Sequence, residues 1–136
     1  MIGVELVKSK NALLAIIVRA DAKSDQKYNF LTSTDQPFQF GVNFYPSGEI
    51  IKGHAHLLRT TTVESIQEYI LVSEGRMRLH VFDEDDTHVA EAVLGKGDSV
   101  LLLAGGHGFD MLEETKLVEV KQGPYDGKSK DKRIFG

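Results

Sequence analysis

The chain has no cysteine, and that absence removes a disulfide framework, thiolate metal ligands and thiol catalysis together. It has no excess of positive charge: the formal net charge is −4, which argues against a general nucleic-acid or anionic-membrane binder. No hydrophobic run is long enough to span a bilayer, the longest being Ala12 to Val18. Lys8 and Lys10 precede that run as in a signal peptide, but Arg19 and Asp21 stand where a small-residue cleavage site would be needed. The run is therefore expected to be a buried strand and the protein cytoplasmic. No internal repeat and no low-complexity linker interrupts the chain.

What is present is ordinary globular material, 41% apolar and 26% charged. At 136 residues it fits one domain, with a core expected over about 12–121 and a C-terminal tail over 122–136. Most of it falls into short β-like runs divided by turn chemistry. Leu13 to Arg19 is apolar on both faces, as in a covered strand. Phe38, Phe40, Val42 and Phe44 alternate with Gln39, Gly41, Asn43 and Tyr45, a period of two, and Pro46-Ser47-Gly48 then reverses the chain. Tyr69 to Val72 and Arg76 to Phe82 read as a hairpin about Ser73-Glu74-Gly75, and Asp83 to Asp86 as a solvated acidic turn. Val89 to Leu94, Ser99 to Ala104, His107 to Leu112 and Leu117 to Lys121 follow as strands. Thr61-Thr62-Val63-Glu64 matches a helix capping box, but three successive threonines before Val63 and the run Tyr69 to Val72 favour at most a short turn before Gln67 and a strand after it. About nine strands with Gly-rich turns predict an all-β sandwich or barrel.

Three stretches carry chemistry. His54 and His56 are separated by one residue, so on a strand both imidazoles leave the same face, with Cα atoms roughly 6–7 Å apart and within reach of one ion. As part of a strand, Glu68 shares a face with Ile66, Ile70 and Val72, where an ionised carboxylate is costly unless it meets a cation. His107 lies in Ala104-Gly105-Gly106-His107-Gly108-Phe109, on a face with Phe109 and Met111. A single histidine in a strand is more often a hydrogen-bonded core or surface residue than a ligand. His80 and His88 have no partner at ligand spacing in the sequence.

These residues resemble the cupin superfamily of small β-barrels. Its first motif is matched by Gly48, five residues, His54-Ala55-His56, then Glu68, six residues and Gly75, with an eleven-residue spacer from Leu57 to Gln67 that is longer than is usual. Its second motif is approximated by Gly97, Gly105 and His107, with Leu103 in place of the proline and one residue fewer before the histidine. The resemblance implies a cupin-type jelly-roll β-barrel as a single domain. It also implies a divalent transition metal (Fe, Mn, Ni, Co, Cu or Zn) held by His54, His56, Glu68 and His107. Such an ion would polarise a carbonyl or enediol or acidify a bound water, unless zinc is enclosed in a structural tetrahedron.

The expected function is that of a metal-dependent enzyme acting on a small polar metabolite: a sugar, sugar nucleotide or keto acid. Isomerase, epimerase and dioxygenase chemistries all stay open, since the fold hosts many. Gly105 to Phe109 and Lys121 to Tyr125 are similar to small bacterial cupins of cell-surface sugar pathways. Asn43, Arg78 and His80 are candidate substrate-binding groups; if Met77, Leu79 and Val81 point inward, Arg78 and His80 belong instead to an outer, solvated face. A non-catalytic ligand-binding or sensing module is the alternative, and an empty, degenerate site a third reading. Small cupins pair through sheet edges, so a homodimer is expected, with Ile134 and Phe135 as candidate anchors in a loosely docked tail.

Overall fold

The run Leu13 to Arg19 becomes the centre of the longest strand, and its double-sided apolarity has a direct cause. In the computed structural model, which describes residues 1–136, the sheet that holds this strand is covered on both faces. The strands are β1 (Ile2–Ser9), β2 (Ala12–Lys23), β3 (Tyr28–Phe30), β4 (Gly41–Asn43), β5 (Glu68–Glu74), β6 (Arg76–Phe82), β7 (His88–Gly95), β8 (Ser99–Leu102), β9 (Gly106–Met111) and β10 (Lys116–Lys121), with one helical turn, α1 (Lys128–Asp131). All pairings are antiparallel. They form a five-stranded sheet in the order β1-β2-β8-β5-β10, a three-stranded sheet β7-β6-β9 and a ribbon β3-β4, and no sheet closes on itself.

The main core lies between the two larger sheets. Ala15 and Ile17 of β2, Ile70 and Val72 of β5 and Val100 and Leu102 of β8 meet Met77, Leu79 and Val81 of β6 and Leu94 of β7. On the outer face of the five-stranded sheet, Ile16, Val18, Leu101 and Leu103, with Tyr69 beside them on β5, are covered by Leu31, Phe38, Phe40 and Val42. Of the alternating stretch from Phe38 to Tyr45 only Gly41–Asn43 is in strand conformation, while Phe38, Phe40 and Val42 pack on this outer cluster.

Two expectations about connectivity are corrected. Strands β5 and β6 do not form a hairpin: β5 pairs with β8 and β10, and β6 with β7 and β9. Gly75, at φ 90°, passes the chain from one sheet to the other, and a Cβ there would collide with the carbonyl oxygen of Glu114. The His54–His56 segment is not a strand. From residue 44 to 67 the chain has neither strand nor helix, every residue from 45 to 66 is exposed, and residues 50–66 make no backbone–backbone hydrogen bond. Strand β1, at one edge of the larger sheet, was not legible as a strand in the sequence because its apolar and polar residues do not alternate cleanly.

The acidic run Asp83 to Asp86 forms the turn between β6 and β7, with Asp83 Oδ1 accepting from the backbone N–H groups of Asp85 and Thr87 at 2.9 and 3.0 Å. It is more than a solvated turn, since Asp85 pairs with Lys10 and Asp86 takes a bidentate contact from Arg133. Through that contact the C-terminal tail is held on the chain's own body. The Phe135 ring packs edge-on to Phe82, with centroids 5.1 Å apart, whereas Ile134 stays exposed.

Candidate functional site

Glu68 opens β5, and the two-residue period of the strand puts it on the inner face with Ile70 and Val72, both fully buried. His107 of β9 stands opposite Val81, and Phe109 opposite Leu79, so this imidazole leaves the facing sheet on the same inner face, at its exposed end. Their side chains meet across the gap, with His107 Nε2 and Glu68 Oε2 3.3 Å apart and side-chain exposures of 32% and 16%. The His107 hydrogen bond holds the Glu68 carboxyl below its ordinary range, against the opposing effect of burial. The carboxylate on an apolar face has therefore found the cationic or hydrogen-bonding partner that its desolvation requires.

The β8–β9 connection makes this approach possible. Gly105 sits at φ 71°, where a Cβ would strike the carbonyl oxygen of Phe82, and at Gly106 a Cβ would lie 2.6 Å from the Phe135 ring. The pair opens onto a cleft of about 870 Å³ that also touches Lys121, Asp131 and Arg133.

Lys121 was not singled out by the sequence, and it belongs here. It stands directly opposite Glu68 on β10, on the same sheet face, and donates to Asp131 Oδ2 at 2.9 Å. That hydrogen bond raises the lysine pKa, so the ammonium stays charged. The period of two along Leu117, Glu119 and Lys121 carried this information once the β5–β10 register was known; the register itself is a tertiary fact.

The structure does not bring His54 and His56 to this pair. Both lie in the exposed segment, their ring centroids 5.6 Å apart, and His54 Nδ1 is 2.9 Å from the carbonyl oxygen of Lys52. No set of three or more metal-ligating atoms within 4.8 Å of one another includes either residue. Of the four ligands expected from the sequence, Glu68 and His107 are together and the two histidines of the His-Ala-His sequence are apart from them.

Of the candidate substrate groups, Asn43 and Arg78 fall elsewhere, while His80 borders the same cleft. Asn43 belongs to the β3–β4 ribbon, where its side-chain oxygen accepts from the Asn29 backbone N–H at 3.2 Å. With Met77, Leu79 and Val81 fully buried, Arg78 and His80 lie on the outer face of β6. His80 is not a solitary surface histidine, however: its Nδ1 is 3.1 Å from His88 Nε2 and its Nε2 is 2.7 Å from Asp110 Oδ2. The partner of His80 is eight positions away in sequence and faces it only through the β6–β7 register, which is why sequence spacing did not reveal it.

No family model, no curated protein and no solved structure matches this sequence.

Proposed function

We propose that this protein is a cupin-like metal-binding protein whose inner site binds a divalent transition metal and acts on a small polar metabolite. The observation that carries this reading is the Glu68–His107 pair, one carboxylate and one imidazole from facing sheets, 3.3 Å apart at the edge of the apolar core and beside Lys121. Two donors that close are compatible with ligation of one ion at ~2.1 Å each. Their chemistry, nitrogen and carboxylate oxygen, suits Fe, Mn, Ni, Co, Cu or Zn.

The remaining two ligands of the proposed set, His54 and His56, sit in a segment that has not found a partner. Ile50 is 84% exposed, Leu57 88% and Leu58 fully exposed, and no ladder hydrogen bond is made there. Strand β9 is an edge strand with one side open. Addition of residues 50–58 to that edge would extend the order β7-β6-β9 by one strand and complete a jelly-roll sheet. It would place His54 and His56, with Ile50 and Leu58, on one face. The segment comes from the same chain or from a second copy, and exchange between two copies agrees with a homodimer through open edges.

When bound, the metal supplies Lewis-acid activation of a substrate oxygen or an acidified water. Lys121, charged and beside Glu68, orients an anionic or carbonyl-bearing metabolite such as a sugar nucleotide or keto acid. Isomerisation, epimerisation and oxygen-dependent cleavage are all compatible with that arrangement. A ligand-binding or sensing module is the second reading. It is favoured by one observation: the inner face offers no acid–base pair beyond Glu68, His107 and Lys121.

The test is metal content and affinity of the full chain purified without chelator or nickel resin. Single His54→Ala, His56→Ala and Glu68→Gln substitutions are each expected to weaken retention of the inner metal while the far-UV circular dichroism is unchanged. Metal retention indifferent to all three removes the proposal. Turnover in a metabolite screen, lost in the same variants, separates the enzyme from the binding module, and a dimeric mass in solution is expected.

A further inference from the structure

The outer face of the three-stranded sheet gathers a second set of metal donors. His80, His88 and Glu91 each offer one ligand atom, and these lie within 4.8 Å of one another. Geometry of the β6–β7 pair brings them there. His80 stands directly opposite Glu91, while His88 stands opposite Phe82 after an irregularity in the register between Val81 and Phe82. That slip carries the His88 ring toward His80, and Phe82 holds it by an edge-to-face contact, with centroids 5.3 Å apart at 74°.

The distances suit an ion. Two nitrogens each ~2.1 Å from one metal stand about 3.0–3.4 Å apart for angles between ~90° and ~109°. His80 Nδ1 and His88 Nε2 are 3.1 Å apart, and His80 Nδ1 to Glu91 Oε2 is 3.7 Å. The other nitrogen of His80, Nε2, is 2.7 Å from Asp110 Oδ2. A carboxylate on the far nitrogen of a ligating imidazole fixes its tautomer and strengthens it as a donor. Gly108, opposite His80 on β9, has no side chain to block that reach.

We propose that His80 Nδ1, His88 Nε2 and Glu91 form a second, solvent-accessible site for a borderline divalent cation, zinc or copper(II) in particular. Asp110 serves as the positioning residue for His80. Two imidazoles and one carboxylate select such ions over Mg²⁺ or Ca²⁺, and three protein ligands leave at least one position for water or an external ligand. His80 and Asp110 border the same cleft as Glu68 and His107, but the donor set is separate. His80, His88 and Glu91 come from the outer face of the three-stranded sheet, whereas Glu68 and His107 lie on inner faces, so the second site stands whether or not the inner pair binds metal.

The probe is Zn²⁺, titrated into the metal-stripped full chain by calorimetry, with histidine side-chain nitrogen NMR as the second readout. In the double variant Glu68→Gln/His107→Gln, which disables the inner site, one equivalent of Zn²⁺ still binds in the micromolar range or tighter. On that background His88→Gln weakens binding at least about 100-fold and Asp110→Asn about 10- to 100-fold. The resonances of His80 Nδ1 and His88 Nε2 move on saturation. Since His88 and Asp110 are exposed, these substitutions leave the fold intact, which circular dichroism verifies. Absence of Zn²⁺ binding in the Glu68/His107 double variant overturns the proposal, as does binding that His88→Gln leaves unchanged or that moves neither nitrogen.

Discussion

If residues 50–58 dock on β9 to complete the inner site, the apolar residues that share a strand face with His54 and His56 should set the metal affinity. Those residues are Ile50 and Leu58, now almost fully exposed. Burying either is worth ~1.5–3 kcal/mol, together about 3–6 kcal/mol, whereas ordering the backbone of the segment costs about 1–2 kcal/mol per residue. Apolar burial alone therefore falls short, and ladder hydrogen bonds plus metal ligation must supply the rest. Docking and metal binding become one linked equilibrium, in which the apparent affinity scales with the docked fraction. Leu58→Ser removes one anchor, and at ~1.4 kcal/mol per tenfold it should weaken apparent inner-site affinity by about 10- to 150-fold without touching a ligand. Leu57→Ser, one residue away on the opposite face, should change it by no more than about 2-fold, as for a surface position. Metal titration in a His88→Gln background, so that only the inner site reports, measures both. Amide hydrogen exchange over residues 50–58 should be fast without metal and slow with it. Equal affinities for Leu58→Ser and the parent chain, or exchange indifferent to metal, would refute the docking scheme.

Two further outcomes are expected. Leu79→Ala, at a fully buried position between the two sheets, should cost about 2–5 kcal/mol in denaturant unfolding, and a loss under 1 kcal/mol would show that the site relaxes far more than a packed core does. The Arg133 guanidinium holds the Asp86 carboxyl below its ordinary 3.8, so the contact contributes to tail docking above that pH and is lost as the pH falls through the lowered folded value. Proteolytic accessibility of the tail should therefore rise at acid pH in the parent chain, whereas Arg133→Ala should show that accessibility already at neutral pH; identical profiles for the two would count against the contact.

The one-dimensional pattern determined which residues share a face, because side chains on a strand leave opposite faces in turn whatever the strand pairs with. Alternation along β5 placed Ile70 and Val72 together on an apolar face, whereas along β6 it left open whether Met77, Leu79 and Val81 or Arg78 and His80 point inward, and the packing of the two sheets decided for the former. For the same reason Glu68 and His107 were legible as polar groups on apolar faces. The two-sided apolarity of Leu13 to Arg19 signalled a covered strand before its covers were known. The all-β class followed from the same alternation and from turn residues, which are local.

Pairing was decided only in three dimensions. Nothing local distinguishes a hairpin at Gly75 from a crossing between sheets, since both need a glycine with positive φ; the choice depends on which edges β8, β9 and β10 later occupy. The His80–His88 contact and the facing of Lys121 to Glu68 are products of register, a relation between residues remote in sequence. The exposed conformation of His54 and His56 has the same origin. A strand is stable only when another edge accepts its hydrogen bonds, and whether this segment finds one is a property of the assembled sheets, not of its own sequence.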